Sequence, residues 1–215
     1  MKFALVSLTH MALPQTTHRM TEAEYLALER AAVGVKSEFY DGEMFAMAGG
    51  TRRHSLIGTN LTIEFGNKLR GHRCRTYNAE LRVKIEATGL FTYPDLSVVC
   101  GKPVLLDQGM DTLLNPTLLA EVLSESTESY DRGKKFQHYQ QIPSLKEYLL
   151  ISQDEPRIEQ FVRQGDDRWL LRETLGMQSK LKLPSLGITI SLAEIFADVE
   201  FPLRNVLKVP RPRRP

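Results

Sequence analysis

Cysteine is nearly absent from this chain. Its 215 residues hold two, Cys74 and Cys100, too few for a disulfide framework or a four-cysteine zinc site. They read as buried thiols in a reducing, cytoplasmic setting. Long apolar runs are missing too. No stretch approaches the ~20 residues that cross a bilayer, so no membrane partner is expected. The opening Met1-Lys2-Phe3-Ala4-Leu5-Val6-Ser7-Leu8 falls short of a convincing signal-peptide core of ~7–15 apolar residues. With Met11 and Met20 as alternative starts, residues 1–20 read as an extension outside the fold. Several catalytic signatures are absent as well: Gly-x-Gly-x-x-Gly, the P-loop, His-Glu-x-x-His and Gly-x-Ser-x-Gly. Ser124-Glu125-Ser126-Thr127 is polar, but no histidine is tied to it by a recognisable spacing, which argues against a serine hydrolase.

An excess of one charge sign is also lacking overall, at +2. Within the Pro-rich, basic tail 201–215, residues 208–215 carry +4 in Lys208, Arg211, Arg213 and Arg214, which leaves the remaining 207 residues at −2. Charge is instead concentrated within 52–84. Arg52, Arg53, Lys68, Arg70, Arg73, Arg75, Arg82 and Lys84 face only Glu64 and Glu80, a local +6 that suits a polyanion. A solvated helix face with a strand edge is the alternative.

What is present is the composition of a folded protein, 42% hydrophobic and 25% charged. No repeat or low-complexity linker divides it, so one domain is expected over 21–200. Thr21 and Glu24 form a capping box that opens a helix. Asp41-Gly42 sits between two strand-like segments as a hairpin turn. After Gly49-Gly50-Thr51, Ile57, Leu61, Phe65 and Leu69 recur at helical spacing. Strands are expected over 77–85, 91–100 and 118–124, a helix over 131–141, and further strands over 145–151, 157–163 and 169–173, the last two joined through Gly165-Asp166-Asp167. Ser191 caps a final helical turn. This order predicts an α/β layered fold with a mixed sheet flanked by helices.

Glu121 stands out within Leu118-Leu119-Ala120-Glu121-Val122-Leu123. A carboxylate buried in such a strand costs several kcal/mol unless it is paired or holds a metal. An ion pair or a water-facing edge position is the other reading. Asp95, after Pro94 at the head of another strand, is a weak signal alone. Paired with Glu121 on a neighbouring strand, it would suit a hard divalent cation. Lys135, four residues after Asp131, reads by itself as an ordinary helix pair, and Tyr139 as partial core. Glu38 shares a hairpin face with Tyr40 and Phe45 and looks inward or toward solvent. His54 opens the apolar helical stripe as a core or helix-end histidine.

Together these residues resemble the Uma2 (DUF820) family of restriction-endonuclease-like proteins of the PD-(D/E)xK type. The matching elements are Glu38-Phe39-Tyr40-Asp41-Gly42-Glu43, His54, and Tyr93-Pro94-Asp95-Leu96. The longest match is Glu121-Val122-Leu123-Ser124-Glu125-Ser126-Thr127, which continues through Asp131-Arg132-Gly133-Lys134-Lys135 and Tyr139 to Lys146-Glu147-Tyr148. The resemblance runs from about 21 to 196. It implies a restriction-endonuclease-like core and a metal, Mg²⁺ or Mn²⁺, held by Asp95, Glu121 and the Val122 carbonyl. The general nuclease pattern has a lysine two residues after the second acid, where this chain has Leu123; Uma2-like sequences supply it from the following helix, which maps onto Lys135. The implied activity is metal-assisted hydrolysis of phosphodiester bonds in nucleic acid, DNA first. In this scheme Lys135 positions water or offsets charge, Glu38 supports it, and His54 contacts phosphate. Arg52, Arg53, Lys68, Arg70, Arg73 and Arg75 would track the backbone. A non-catalytic nucleic-acid-binding module of the same fold is the alternative. Edge strands and the apolar Ile188, Ile190, Leu192, Ile195 and Phe196 make a homodimer a further expectation.

Overall fold

The computed structural model describes residues 19–47, 49–108, 110–165 and 168–202. Nearly all of the expected extension at 1–20 and basic tail at 201–215 lies outside the described residues, as does Asp166-Asp167. Helix α1 (Glu22–Ala31) starts at the capping box: the Glu24 amide donates to Thr21 Oγ1, and Glu24 Oε2 accepts from the Thr21 amide at 2.7 Å. Strands β1 (Ser37–Tyr40) and β2 (Glu43–Ala46) pair through Asp41-Gly42. Both turn residues have positive φ, 49° and 82°, the backbone a two-residue hairpin requires. Helix α2 (Arg52–Lys68) is capped by Thr51, whose hydroxyl accepts from the His54 amide, and it buries Ile57, Leu61 and Phe65.

The next segments depart from expectation. The strand expected over 77–85 is two strands, β3 (Cys74–Asn78) and β4 (Arg82–Ile85), in different sheets. The Asn78 side chain accepts from the Glu80 amide, an Asx-type turn that breaks the run. The strand expected over 91–100 likewise divides at Tyr93-Pro94-Asp95 into β5 (Leu90–Thr92) and β6 (Leu96–Cys100). Short β7 (Thr112–Leu113) was not anticipated; β8 (Leu118–Val122) was, though it ends two residues sooner than expected. The expected helix over 131–141 begins earlier and ends sooner, as α3 (Glu128–Tyr130), a π-helical segment (Asp131–Lys135) and α4 (Phe136–Tyr139). Then follow β9 (Glu147–Ile151), β10 (Arg157–Arg163), β11 (Trp169–Leu175), the unanticipated hairpin β12 (Lys180–Leu183) and β13 (Ile188–Ser191), and α5 (Leu192–Ile195) behind the Ser191 cap.

Two larger sheets result. One has the order β2-β1-β5-β4-β7; the other, β11-β10-β9-β8-β6-β3, is mixed because β8 and β9 run parallel. Side chains alternate across a strand, so Leu118, Ala120 and Val122 face α2 and α5 in one core. Leu119 and Leu123 enter a second core with Val83, Leu90, Tyr139 and Tyr148. Glu121 shares parity with Leu119 and Leu123 and so projects toward that second core. No described helix is long and apolar enough to cross a membrane.

One expectation is corrected here. Register places Cys74 directly opposite Cys100 on β3 and β6, and the pair forms a disulfide rather than two buried thiols; a sequence separation of 26 conceals that juxtaposition. Of the apolar C-terminal residues, Ile190, Leu192, Ile195 and Phe196 are fully buried in this chain's own core, while Ile188 is partly exposed. By the chain-entropy relation, a loop of this length contributes roughly 3.5 kcal/mol. Denaturant unfolding with and without dithiothreitol is expected to show a loss of that order on reduction, and Cys74→Ser an equal loss without reductant. Coincident oxidised and reduced curves would contradict the assignment.

Candidate active site

The ends of β6 and β8 bring together residues far apart in sequence. Asp95 directly precedes β6, and its Oδ2 accepts from the Val122 amide at 2.7 Å. The carboxylate is thus seated against the peptide that follows Glu121. His54, in the first turn of α2, places Nε2 3.4 Å from Asp95 Oδ2, and its ring also hydrogen-bonds the Val122 backbone. The bond to Asp95 outweighs burial and raises the imidazole above its ordinary pKa. Two of the groups implied as metal ligands, Asp95 and the Val122 backbone, therefore lie within reach of one histidine.

Also at the end of β8, Lys135 gathers three acids. Its Nζ lies 3.0 Å from Glu121 Oε1, 3.1 Å from Glu38 Oε1 and 3.4 Å from Asp131 Oδ1. An ammonium has three N–H donors, matched here by three carboxylates. The lysine side chain is only 6% exposed. Burial alone would lower its pKa, but Glu121, Glu38 and Asp131 more than reverse that and hold it well above the ordinary value. The Tyr139 hydroxyl donates to Glu121 Oε1 at 2.7 Å. Thr92, ending β5, donates to Glu38, and Tyr130 lies over Lys135 with its ring centroid 5.8 Å from Nζ. The π-helical segment carries Asp131 and Lys135 at its two ends; such widened turns recur at functional sites.

Negative charge is in excess. Burial is the main force raising the Glu121 pKa; Lys135 opposes it, Asp131 and Asp95 reinforce it, and the carboxyl is pushed up to about 8. Burial likewise raises Asp131 against the pull of Lys135. One lysine does not neutralise this many carboxylates, so a further cation has an electrostatic place here. Among the described residues, no three or more His, Cys, Asp or Glu side chains form a ready-made metal cage. The residues present, two carboxylates and a backbone carbonyl, instead fit a hard ion that keeps much of its water, as Mg²⁺ does.

The candidates named from sequence divide by position. Glu38, Asp95, Glu121, Lys135 and His54 lie around the end of β8. Arg52 and Arg53 flank His54 at the start of α2, where Arg53 meets Asp154 at 3.4 Å and Arg52 meets Glu200 at 2.9 Å. Lys68 ends the helix, and Arg70, Arg73 and Arg75 lie beyond it. Leu123, at the usual lysine position, is buried in the second core. Tyr130 and Thr92 join the cluster without any mark in the sequence, and Asp131, read there only as the helical partner of Lys135, joins it as a third acid on the ammonium. A cavity of about 270 Å³ lies past the ends of β8 and β9, lined by Ser124, Ser152 and Gln153 and by the acids Glu125, Glu128, Asp154 and Glu155 among others.

Comparison with known proteins supplies the context for this geometry. Residues 22–193 match the family model of Uma2, described as a putative restriction endonuclease. Two uncharacterized proteins of Synechocystis sp. are similar. One, slr1290, is 35% identical over 185 residues, covering 85% of this chain and 94% of the relative. The other, sll1609, is 34% identical over 178 residues, covering 83% and 100%. The crystal structure of a putative nuclease belonging to DUF820 from Anabaena variabilis superposes with a TM-score of 0.66 at 19% identity, over 81% of this chain and 96% of that one. At that identity the likeness speaks to the fold.

Proposed function

The chain belongs to the Uma2 family of putative restriction endonucleases, and from that premise we propose a metal-dependent nuclease that hydrolyses phosphodiester bonds, with DNA as its substrate. The observation that carries this reading is the convergence at β8: Asp95 hydrogen-bonded to the Val122 amide on one side, Glu121 bonded to Lys135 on the other. Asp95, Glu121 and the Val122 carbonyl would hold Mg²⁺ or Mn²⁺. When bound, the ion would supply Lewis-acid polarisation of a phosphate oxygen and acidify water.

The chain's own residues do the rest. Lys135 keeps Glu121, Glu38 and Asp131 in register and sets positive charge against the charge that grows on a phosphate as its ester bond breaks. Tyr139 fixes Glu121 Oε1 by donating to it. Glu38, itself held by Thr92, orients the Lys135 ammonium from the opposite sheet. His54, whose pKa Asp95 raises, and Arg53 beside it would form the basic side of the site, where a phosphate would enter. Leu123 favours a non-catalytic module only if no ammonium reaches Glu121 from elsewhere. Lys135 lies 3.0 Å away.

Two measurements test the reading. Calorimetric titration with Mg²⁺ is expected to show binding by wild type and little by Asp95→Ala; equal affinity would reject the ligand set. Plasmid, single-stranded DNA and RNA are expected to separate by susceptibility with Mg²⁺ or Mn²⁺, plasmid being cleaved and Glu121→Ala being inert. Cleavage surviving in Glu121→Ala would place the activity elsewhere.

A further inference from the structure

The basic residues of the 52–84 stretch form two clusters, not one. Helix α2 has 17 residues, which at 1.5 Å per residue spans about 25 Å. Arg52, Arg53 and His54 stand at its N-terminal end, in the candidate active site. Beyond its C-terminal end the chain turns through Arg70-Gly71-His72-Arg73 into β3, and Arg70, Arg73 and Arg75 are exposed there. Among the described residues neither Arg70 nor Arg73 has an ion-pair partner, whereas Arg52, Arg53 and Lys68 each lean toward an acid. The Arg75 guanidinium is oriented by donating to the carbonyls of His72 and Cys74. An open cavity of about 420 Å³ lies between Arg70 and Arg75. It is also lined by Thr76, whose buried hydroxyl has no hydrogen-bond partner. The disulfide at Cys74 fastens this tip to the end of β6. Between the clusters the exposed line of α2 is Ser55, Thr59, Ile63 and Asn67, which carries no charge to repel an anion.

We propose that this tip is a second backbone-binding surface for a duplex: α2 lies along the nucleic acid, with one phosphate region at the active site and Arg70, Arg73 and Arg75 on phosphates about 25 Å away. At about 3.4 Å per base pair, the span is roughly seven base pairs. The tip reads no bases, since phosphate contacts position without specifying sequence. It sets a minimum substrate length. The inference rests on the nuclease reading above, because the near end of the span is that site.

The test is binding in EDTA, which separates contact from cleavage. Full-length wild type and Arg70→Gln/Arg73→Gln would be titrated against fluorescent 20-bp and 6-bp duplexes and a single-stranded 20-mer, over a range of salt. Both side chains are exposed, so thermal unfolding should be unchanged and serves as the folding control. On the 20-bp duplex the variant is expected to bind about tenfold more weakly, with a salt slope shallower by about 2. On the 6-bp duplex the two proteins should bind alike. An unchanged 20-bp affinity and slope, an equal loss on both duplex lengths, or a loss confined to the single strand would each overturn the inference and leave the nuclease reading standing. A wild type that neither binds nor cleaves any of them would remove that reading, and the inference with it.

Discussion

Replacing Lys135 with Met is expected to cost about 3–5 kcal/mol of stability and to lower cleavage by about two to three orders of magnitude. The stability cost follows from what remains. Glu121, Glu38 and Asp131 would face one another around an apolar side chain, each having lost the cation at 3.0–3.4 Å. Removing one partner of a buried ionic cluster is far worse than never having built it, because the desolvation of the remaining charges stays uncompensated. The surviving acids would take up protons, so the variant should lose most stability above neutral pH, where those protons are hardest to retain.

A simple loss of folding would look the same in an activity assay, so the double variant Lys135→Met/Glu121→Gln is the discriminating protein. Taking away one of the three acids is expected to recover part of the lost stability, a coupling that a double-mutant cycle measures directly. Cleavage should not recover with it. If Lys135→Met unfolds at the wild-type denaturant midpoint, the lysine is not the hub of this cluster. A folded double variant that regains cleavage would show that the ammonium has no part in the chemistry.

The framework of the fold was legible because it is written locally. The capping box at Thr21 and Glu24, the positive-φ turn at Asp41-Gly42, and the four-residue recurrence of Ile57, Leu61 and Phe65 each need only a few neighbouring residues to specify them. Glu121 was legible for a different reason, since a charge in a continuous apolar strand contradicts its surroundings. The divided strands were harder. Asn78 is a turn former, but Ala79, Glu80 and Leu81 contain no glycine or proline to mark the break, while Pro94 did carry the mark for the second division. The β12–β13 hairpin had a readable pattern too, for Leu181 and Leu183 are buried between exposed lysines. What no local reading could supply is the meeting of segments. Lys135 four residues from Asp131 is a routine helical pair until β1 delivers Glu38 and β8 delivers Glu121 to the same nitrogen. The cysteines pose the same problem, because strand register alone decides that Cys74 meets Cys100.

Glu121→Gln is expected to abolish cleavage and, in EDTA, to make the protein more stable than wild type at alkaline pH. The sign follows from the proton balance. Glu121 ionises near 4.5 when exposed and near 8 in the fold, so below about pH 4.5 it is protonated in both states and contributes no difference. Between these values the unfolded chain releases a proton that the folded chain keeps, and wild-type stability falls by up to about 1.4 kcal/mol per pH unit from this group alone. Above 8 the full penalty is present, on the order of a few kcal/mol. Glutamine cannot ionise in either state and escapes the loss, while its side-chain oxygen still accepts from Tyr139 and Lys135. Lys135 also keeps Glu38 and Asp131. The measurement is the difference in unfolding temperature between the two proteins from pH 5 to 9 with chelator present. It should be small at the acid end, widen up to about pH 8 and level off beyond it. Parallel profiles would mean that Glu121 carries no stored electrostatic cost, and the case for a cation-hungry site would go with it. A widening difference together with lost cleavage would identify Glu121 as a residue kept at the expense of the fold, since the metal-free protein is better off without its charge.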